Sequence, residues 1–385
     1  MSLPGVYQFC VTMLRIVMIL PGSPYLEFFY LLSTLQSSSG HLNIPTSSRV
    51  KQKNPTMART KLSTMVKENA KFDSQNRQVH KGESIVYVVV GAMSAVGAKL
   101  LERLLMASYH SAVFYVLWDP SKSSLTYRQR LFNALLNNGC KLNFIKADDS
   151  RMADIDFATN QIIAAEDKVD YICMSKNDTC RGEATVITSE GVKTEAAVWY
   201  ASRMRLIANL LPLLGRSQQP RVLNILNHGI HKHTDEEYKT HKAIMQYTSI
   251  MTNLAFNHLA MENQHITFIL SPLGFDGTGY AQETDETVTA GVFQKAWRAI
   301  PDKYRHVSQK VFGSKPDKIL ERHLYYLTAD SHESGAFHVD ARGEIVPNAR
   351  PSEDEDENRP KDAWEFASKE WHLALAKEVA DQPSL

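Results

Sequence analysis

Short apolar runs rich in β-branched and aromatic residues recur along the middle of the chain, at Ile85–Val90, Ala112–Trp118, Lys141–Ile145, Tyr171–Met174, Arg221–Leu226 and Ile266–Leu270. Runs this short, with few polar interruptions, belong to strands covered on both faces. Between them the apolar positions repeat with helical spacing over Val96–Ser108, Ser124–Asn137, Met152–Ala165, Thr194–Leu214 and Ile244–Leu259. In the first of these, Val96, Leu100, Leu101, Leu104 and Leu105 form one stripe. Strand and helix in alternation predict the α/β class. The expected architecture is a doubly wound, Rossmann-type parallel sheet with helices on both faces, in a single main domain. Such a sheet holds its ligand beyond the carboxyl ends of the strands.

The two ends break this rhythm. Residues 1–35 are apolar and aromatic, but Arg15, Pro21, Pro24 and Glu27 interrupt them, so no run reaches the roughly 18 residues of a spanning helix. The first fourteen residues lack the basic start of a secretory signal. A Ser- and Lys-rich stretch then runs from Gln36 to Thr56, ahead of a second methionine, Met57. Residues 1–56 are therefore expected to be an upstream extension the folded domain does not need; a weak membrane anchor is the other reading. At the far end, Arg350–Lys361 is Pro-rich and carries the acidic run Glu353–Glu357. It predicts a solvated linker before a short amphipathic helix, Trp364–Val379. The expected boundaries are thus 1–56, a main domain at 57–348, and a linker and helix at 349–385.

Composition narrows the partners. A chain of 385 residues can hold one large α/β domain with extensions, or two small domains. A net charge of +1 gives no global reason to expect nucleic acid as a partner. Cys10, Cys140, Cys173 and Cys180 lack metal-ligand spacing. They read as reduced thiols of a cytoplasmic protein, and no zinc site is expected.

Candidate chemistry concentrates where the first strand meets its helix. Gly91 breaks the strand and Gly97 follows six residues later, within Val90-Gly91-Ala92-Met93-Ser94-Ala95-Val96-Gly97. Such a turn aims helix-terminal N–H groups and the positive dipole end at a phosphate. Small residues let a pyrophosphate approach the backbone. Gly91, Ser94, Ala95, Val96 and Gly97 are the candidate contacts, although Ala95 sits where a middle glycine is usual. A lone turn of this kind is often only structural.

From about Met57 to Asn348 the order of such segments resembles a fungal member of the short-chain dehydrogenase/reductase family. The turn at Gly91 lies where that family has Thr-Gly-x-x-x-Gly-x-Gly. Glu190-Gly191-Val192, Tyr200-Ala201-Ser202-Arg203 and Asn209–Leu214 are similar to its long fourth helix. Pro220–Asn224 resembles its fifth strand, and Leu254-Ala255 with His258-Leu259-Ala260 the helix after it. Ser271-Pro272 and Thr278-Gly279 resemble its loop over the nicotinamide, and Glu321-Arg322-His323-Leu324 a late segment of the fungal subgroup. The resemblance implies NAD or NADP as cofactor and an alcohol or carbonyl as substrate, in the setting of secondary metabolism.

Two carboxylates bear on the cofactor. Asp148, after the third strand, matches the family aspartate that meets the adenine ring. Asp119 ends the second strand where many fungal relatives have arginine. A carboxylate there accepts hydrogen bonds from ribose hydroxyls and repels a 2′-phosphate, so NAD is expected over NADP. Asp119-Pro120 also suits a simple turn, and Lys122 nearby could partly offset the repulsion.

At the catalytic positions the chain departs from the family pattern. Its chemistry uses a tyrosine that exchanges a proton with the substrate oxygen and a lysine one helical turn later, because a phenol near pKa ~10 needs a positive neighbour to ionise. Tyr238 and Lys242 offer Tyr-x-x-x-Lys. Counting back from Leu254-Ala255, however, puts Thr240 and Ile244 in the catalytic places. A two-residue slip on a continuous helix turns a side chain by roughly 200°. Asn227 stands near the expected serine and can donate to a carbonyl; Trp199 aligns with the asparagine of the water relay. His228, His231, His233 and His241 follow the fifth strand and titrate near neutrality, as acid–base groups or as solvated loop residues.

Three activities fit: an NAD(P)-dependent oxidoreductase, a non-redox isomerase or dehydratase on the same fold, and a non-catalytic nucleotide-binding protein. The expected partner is a small organic metabolite, without nucleic acid or firm membrane attachment; a homo-oligomer follows only from the family habit. Gly274–Phe293, with Phe275 and Tyr280, reads as a substrate flap, and Trp297 and Tyr304 as core or dimer contacts.

Overall fold

All six expected strands form, and two more extend the sheet they build. The computed structural model describes residues 61–76, 84–108, 111–119, 125–137, 139–175, 187–192, 194–226, 239–272, 318–329, 334–340, 343–348 and 358–381. In chain order these are α1 (Leu62–Asn76), β1 (Ile85–Val90), α2 (Ala95–Ala107), β2 (Ala112–Trp118), α3 (Leu125–Leu135), β3 (Lys141–Lys146), α4 (Met152–Ala165) and β4 (Tyr171–Met174). There follow α5 (Thr194–Ala196), a π-helical turn (Ala197–Ala201), α6 (Ser202–Leu214), β5 (Arg221–Leu226), α7 (Lys239–Glu262) and β6 (Thr267–Pro272). The last are α8 (Lys318–Thr328), β7 (Gly335–Val339), β8 (Ile345–Pro347) and α9 (Arg359–Asp381). The extension at 1–56, the flap at 274–293, Trp297 and Tyr304 lie outside the described residues.

The strands lie in the order β3-β2-β1-β4-β5-β6-β7-β8. Neighbours from β3 to β7 pair in parallel, and only the β7–β8 hairpin is antiparallel. Register is pinned by a row of rings: Tyr87 of β1 is paired with Phe114 of β2 and Tyr171 of β4. Its ring stacks on both, at 4.6 and 5.0 Å between centroids. Such cross-strand aromatic pairs oppose a slip that would turn every side chain to the other face.

One core lies between the sheet and α2 and α8. Leu100, Leu101, Leu104 and Leu105 of α2 and Leu324 and Tyr326 of α8 are buried there with Tyr87, Phe114 and Val116. Helices α4, α6 and α7 carry α9 packed across them. Asp156 of α4 takes both Nε and Nη2 of Arg205 in α6 at 2.7 and 2.9 Å, and that guanidinium lies 5.5 Å from the Trp371 ring centroid in α9. The Tyr200 hydroxyl donates to the carbonyl of Ala363 in the same helix.

Several boundaries differ from expectation. Helix α9 is 23 residues long and starts at Arg359, so Arg359–Lys361 are helix rather than linker; Pro360 is tolerated in a first turn, whose N–H groups lack intrahelical acceptors. The fourth crossover helix is not continuous α-helix, because a π turn at Ala197–Ala201 interrupts it. Helix α7 starts five residues earlier than expected, at Lys239, and β6 runs on through Ser271-Pro272, which therefore end a strand rather than form a loop. Among the described residues no helix is long and apolar enough to cross a membrane.

Candidate functional site

The direction in which strands are added reverses between β1 and β4. In a doubly wound sheet the ligand crevice opens at that point, beyond the carboxyl ends of the two strands. The residues that follow them are Gly91 and Ser175, brought together because Val90 pairs with Met174.

The turn from β1 into α2 is closely packed. Gly91 has φ +79°, which favours glycine, and a Cβ there would stand 2.2 Å from the carbonyl oxygen of Ser175. A Cβ on Gly97 would stand 2.2 Å from the Gly91 carbonyl oxygen. Neither position can carry a side chain without moving backbone. Ser94 is the N-cap of α2, accepting the Gly97 N–H at 3.0 Å, and its carbonyl accepts from Ala98 at 2.9 Å. The first-turn N–H groups of Ala95 and Val96 remain as donors for which α-helical geometry supplies no acceptor. Gly91, Ser94, Ala95, Val96 and Gly97 are thus together in one turn at the mouth of the switch point.

Asp119 directly follows β2, the neighbour of β1, and is half-buried. Asp148 lies beyond β3. Its Oδ1 accepts from the backbone and hydroxyl of Ser150, at 2.9 and 2.7 Å, which folds the β3–α4 junction over itself.

On the β4–β5 side the floor is built by a buried cation. Arg203 of α6 is 3% exposed. Its Nε donates to the Val198 carbonyl in the π turn at 2.9 Å, Nη2 donates to the Ser175 carbonyl at 3.1 Å, and Nη1 donates to Oδ1 of Asn224 in β5. Trp199 is buried with Val198 and Leu226, with Leu270 packed against them. Arg203 and Asn224 entered the sequence reading only within segments of the resemblance, without a role, and Ser175 not at all. A lone serine after a strand and an arginine on a helix have no distinguishing pattern.

Other polar groups around the crevice are structural. His323 of α8 is fully buried and donates from Nε2 to the Pro272 carbonyl at the end of β6, at 3.2 Å. Burial pushes the Cys173 thiol up to about 12, which makes it inert as a nucleophile at neutral pH. Cys140 and Cys173 are free thiols. No group of three metal-ligating side chains converges among the described residues.

Asn227, Tyr238 and the histidines at 228, 231 and 233 lie outside the described residues. Lys242 and His241 sit on α7, whose backbone is continuous helix from Lys239 to Glu262.

No family model matches the chain. It is similar to Oxidoreductase AN1596 of Emericella nidulans, with 27% identity over 278 residues, 70% of this chain and 77% of that one. Oxidoreductase lepF of Aspergillus flavus is 26% identical over 213 residues, and the match spans 50% of this chain and 58% of lepF. A metagenomic short-chain oxidoreductase solved with NADP overlays with a TM-score of 0.43 at 14% identity, over 68% of this chain and 98% of its own.

Proposed function

We infer that the chain is a fungal-type, short-chain dehydrogenase/reductase-like oxidoreductase that uses NAD or NADP to interconvert a carbonyl and an alcohol on a small organic metabolite. The observation that carries this reading is the closely packed β1–α2 turn at the switch point of the sheet, in a chain whose curated relatives are named oxidoreductases. The residues there suit a dinucleotide: the N–H groups of Ala95 and Val96 and the dipole of α2 would hold its diphosphate. Asp148, beyond β3, is the residue that would meet the adenine ring.

Asp119 gives the preference within that class. Its carboxylate accepts from ribose hydroxyls and repels a 2′-phosphate, so NAD is bound more tightly than NADP.

The nicotinamide supplies or accepts the hydride when bound. The protein's part is to hold the substrate oxygen and manage its proton. Tyr238 is the proton donor, Lys242 lowers its pKa, and Asn227 donates to the substrate oxygen.

The test is to incubate the full chain with NADH or NADPH and a panel of ketones and aldehydes, following loss of the reduced-nicotinamide absorbance. Hydride transfer abolished by Tyr238→Phe supports the assignment. Turnover that leaves the cofactor unoxidised replaces it with the non-redox reading, and cofactor binding without any turnover with the nucleotide-binding one.

A further inference from the structure

Ser94, the N-cap of α2, and Ser175, which directly follows β4, bring their hydroxyl oxygens to 2.6 Å. Each hydroxyl has a single hydrogen to give. Ser175 Oγ donates to the carbonyl of Gly91 at 3.1 Å, so the hydrogen between the two oxygens belongs to Ser94. The Ser94 oxygen meanwhile accepts the Gly97 N–H. The donors run in one direction: Gly97 N–H to Ser94, Ser94 O–H to Ser175, Ser175 O–H to Gly91. Both side chains are shut away from solvent, at 5% and 1% exposure.

Ser175 is itself fixed from two further directions. Its N–H donates to the Val90 carbonyl at 2.9 Å, and its own carbonyl receives Arg203. The two glycines that tolerate no Cβ, Gly91 and Gly97, flank this ring of hydrogen bonds.

We propose that Ser94 and Ser175 act as one positioning unit: together they set the shape of the turn, and the cofactor diphosphate is received by the backbone N–H groups of Ala95 and Val96, not by the Ser94 hydroxyl. This rests on the reading that the turn binds a nicotinamide dinucleotide. It converts Ser94 from a contact residue into a residue that acts through the backbone, and it adds Ser175, which touches no ligand.

The experiment is a double-mutant cycle on the full chain, with ADP-ribose and NADH titrated calorimetrically into wild type, Ser94→Ala, Ser175→Ala and the double variant. Loss of one buried hydrogen-bonded partner predicts affinity weaker by about tenfold for each single variant, on both ligands. Because the two hydroxyls work as one unit, the double variant binds within about twofold of either single one. Ser94→Thr keeps the capping hydroxyl and restores affinity to within about twofold of wild type. If Ser175→Ala does not fold, Ser175→Cys, which retains a weak donor, replaces it in the cycle.

The proposal is overturned if Ser94→Ala weakens binding while Ser175→Ala does not, or if the double variant loses the product of the two single effects; the Ser94 hydroxyl then contacts the phosphate directly. It is also overturned, alone, if wild type binds and neither single variant changes. A wild type that binds neither ligand removes the cofactor reading and this proposal with it.

Discussion

Arg203 of α6 hydrogen-bonds the side chain of Asn224 in β5, joining a helix and a central strand through a guanidinium that is almost wholly buried. The same group serves the carbonyls of Val198 and Ser175, so one side chain ties the π turn to the ends of β4 and β5. A π turn is a local distortion that a helix keeps where something holds it. Here Arg203 holds it, and the distortion brings Trp199 into the apolar cluster with Leu226 and Leu270.

Replacing Arg203 by leucine should therefore cost more than an ordinary buried substitution. It leaves the Asn224, Val198 and Ser175 oxygens without this donor, and a loss of about 3 kcal/mol in urea denaturation is expected. A loss below about 1 kcal/mol would mean that these oxygens find other partners.

Gly97→Ala tests the packing of the β1–α2 turn. The added methyl meets the Gly91 carbonyl oxygen at 2.2 Å, a backbone atom that can yield only by moving the turn. Overpacking of this kind predicts a stability loss of about 2 kcal/mol. Binding of NADH should fall below detection by fluorescence titration while the far-ultraviolet circular dichroism stays α/β.

The strands and the tight turn from β1 into α2 were legible in the sequence because their signals are local. An apolar run such as IVYVVV, closed by Gly91, admits few alternatives. Helix α1 was not legible, since its exposed residues (Ser63, Thr64, Lys67) and weak periodicity resemble a polar extension. Strand β7 was missed because GAFHV sits at the edge of a long region without strand signals. The π turn had no signal either: AVWYA is a plain apolar run, and what distorts it is Arg203, two residues beyond it in the sequence and anchored across the sheet. The start of α9 was misplaced because Pro360 reads as a breaker unless its first-turn position is known.

The carboxyl of Glu190 gives a pH signature. It accepts the N–H groups of Met152 and Ala153, capping α4 from a distant loop, at 2.8 and 3.1 Å. Burial pushes it above the usual carboxylate range, with Glu378 of α9 adding to the rise and the two N–H groups opposing it. A carboxyl raised on folding contributes its full stability below its unfolded pKa of about 4.3 and loses it as pH rises through the folded value. Glu190→Gln, which cannot ionise, should thus gain on wild type in melting temperature as pH is raised from acid to neutral. A difference that stays constant with pH contradicts this.

Trp371 anchors α9. It is 3% exposed, meets Trp364 edge-on at 5.5 Å and lies under the Arg205 guanidinium. Trp371→Ala should destabilise by about 3–5 kcal/mol in chemical denaturation, as large-to-small changes in a core do. If the loss is small, α9 is not integral to the faces of α4, α6 and α7 that it covers.

The central claim is that the β1–α2 turn and Asp119 together hold a nicotinamide dinucleotide without a 2′-phosphate. Calorimetric titration of NAD, NADH, NADP and NADPH into the full chain tests it most directly. The predicted result is binding to NAD and NADH, at least about tenfold tighter than to their 2′-phosphorylated counterparts, as expected for a carboxylate facing a phosphate dianion. Tighter binding of NADP and NADPH would contradict the role of Asp119, and binding of none of the four would contradict the cofactor site itself.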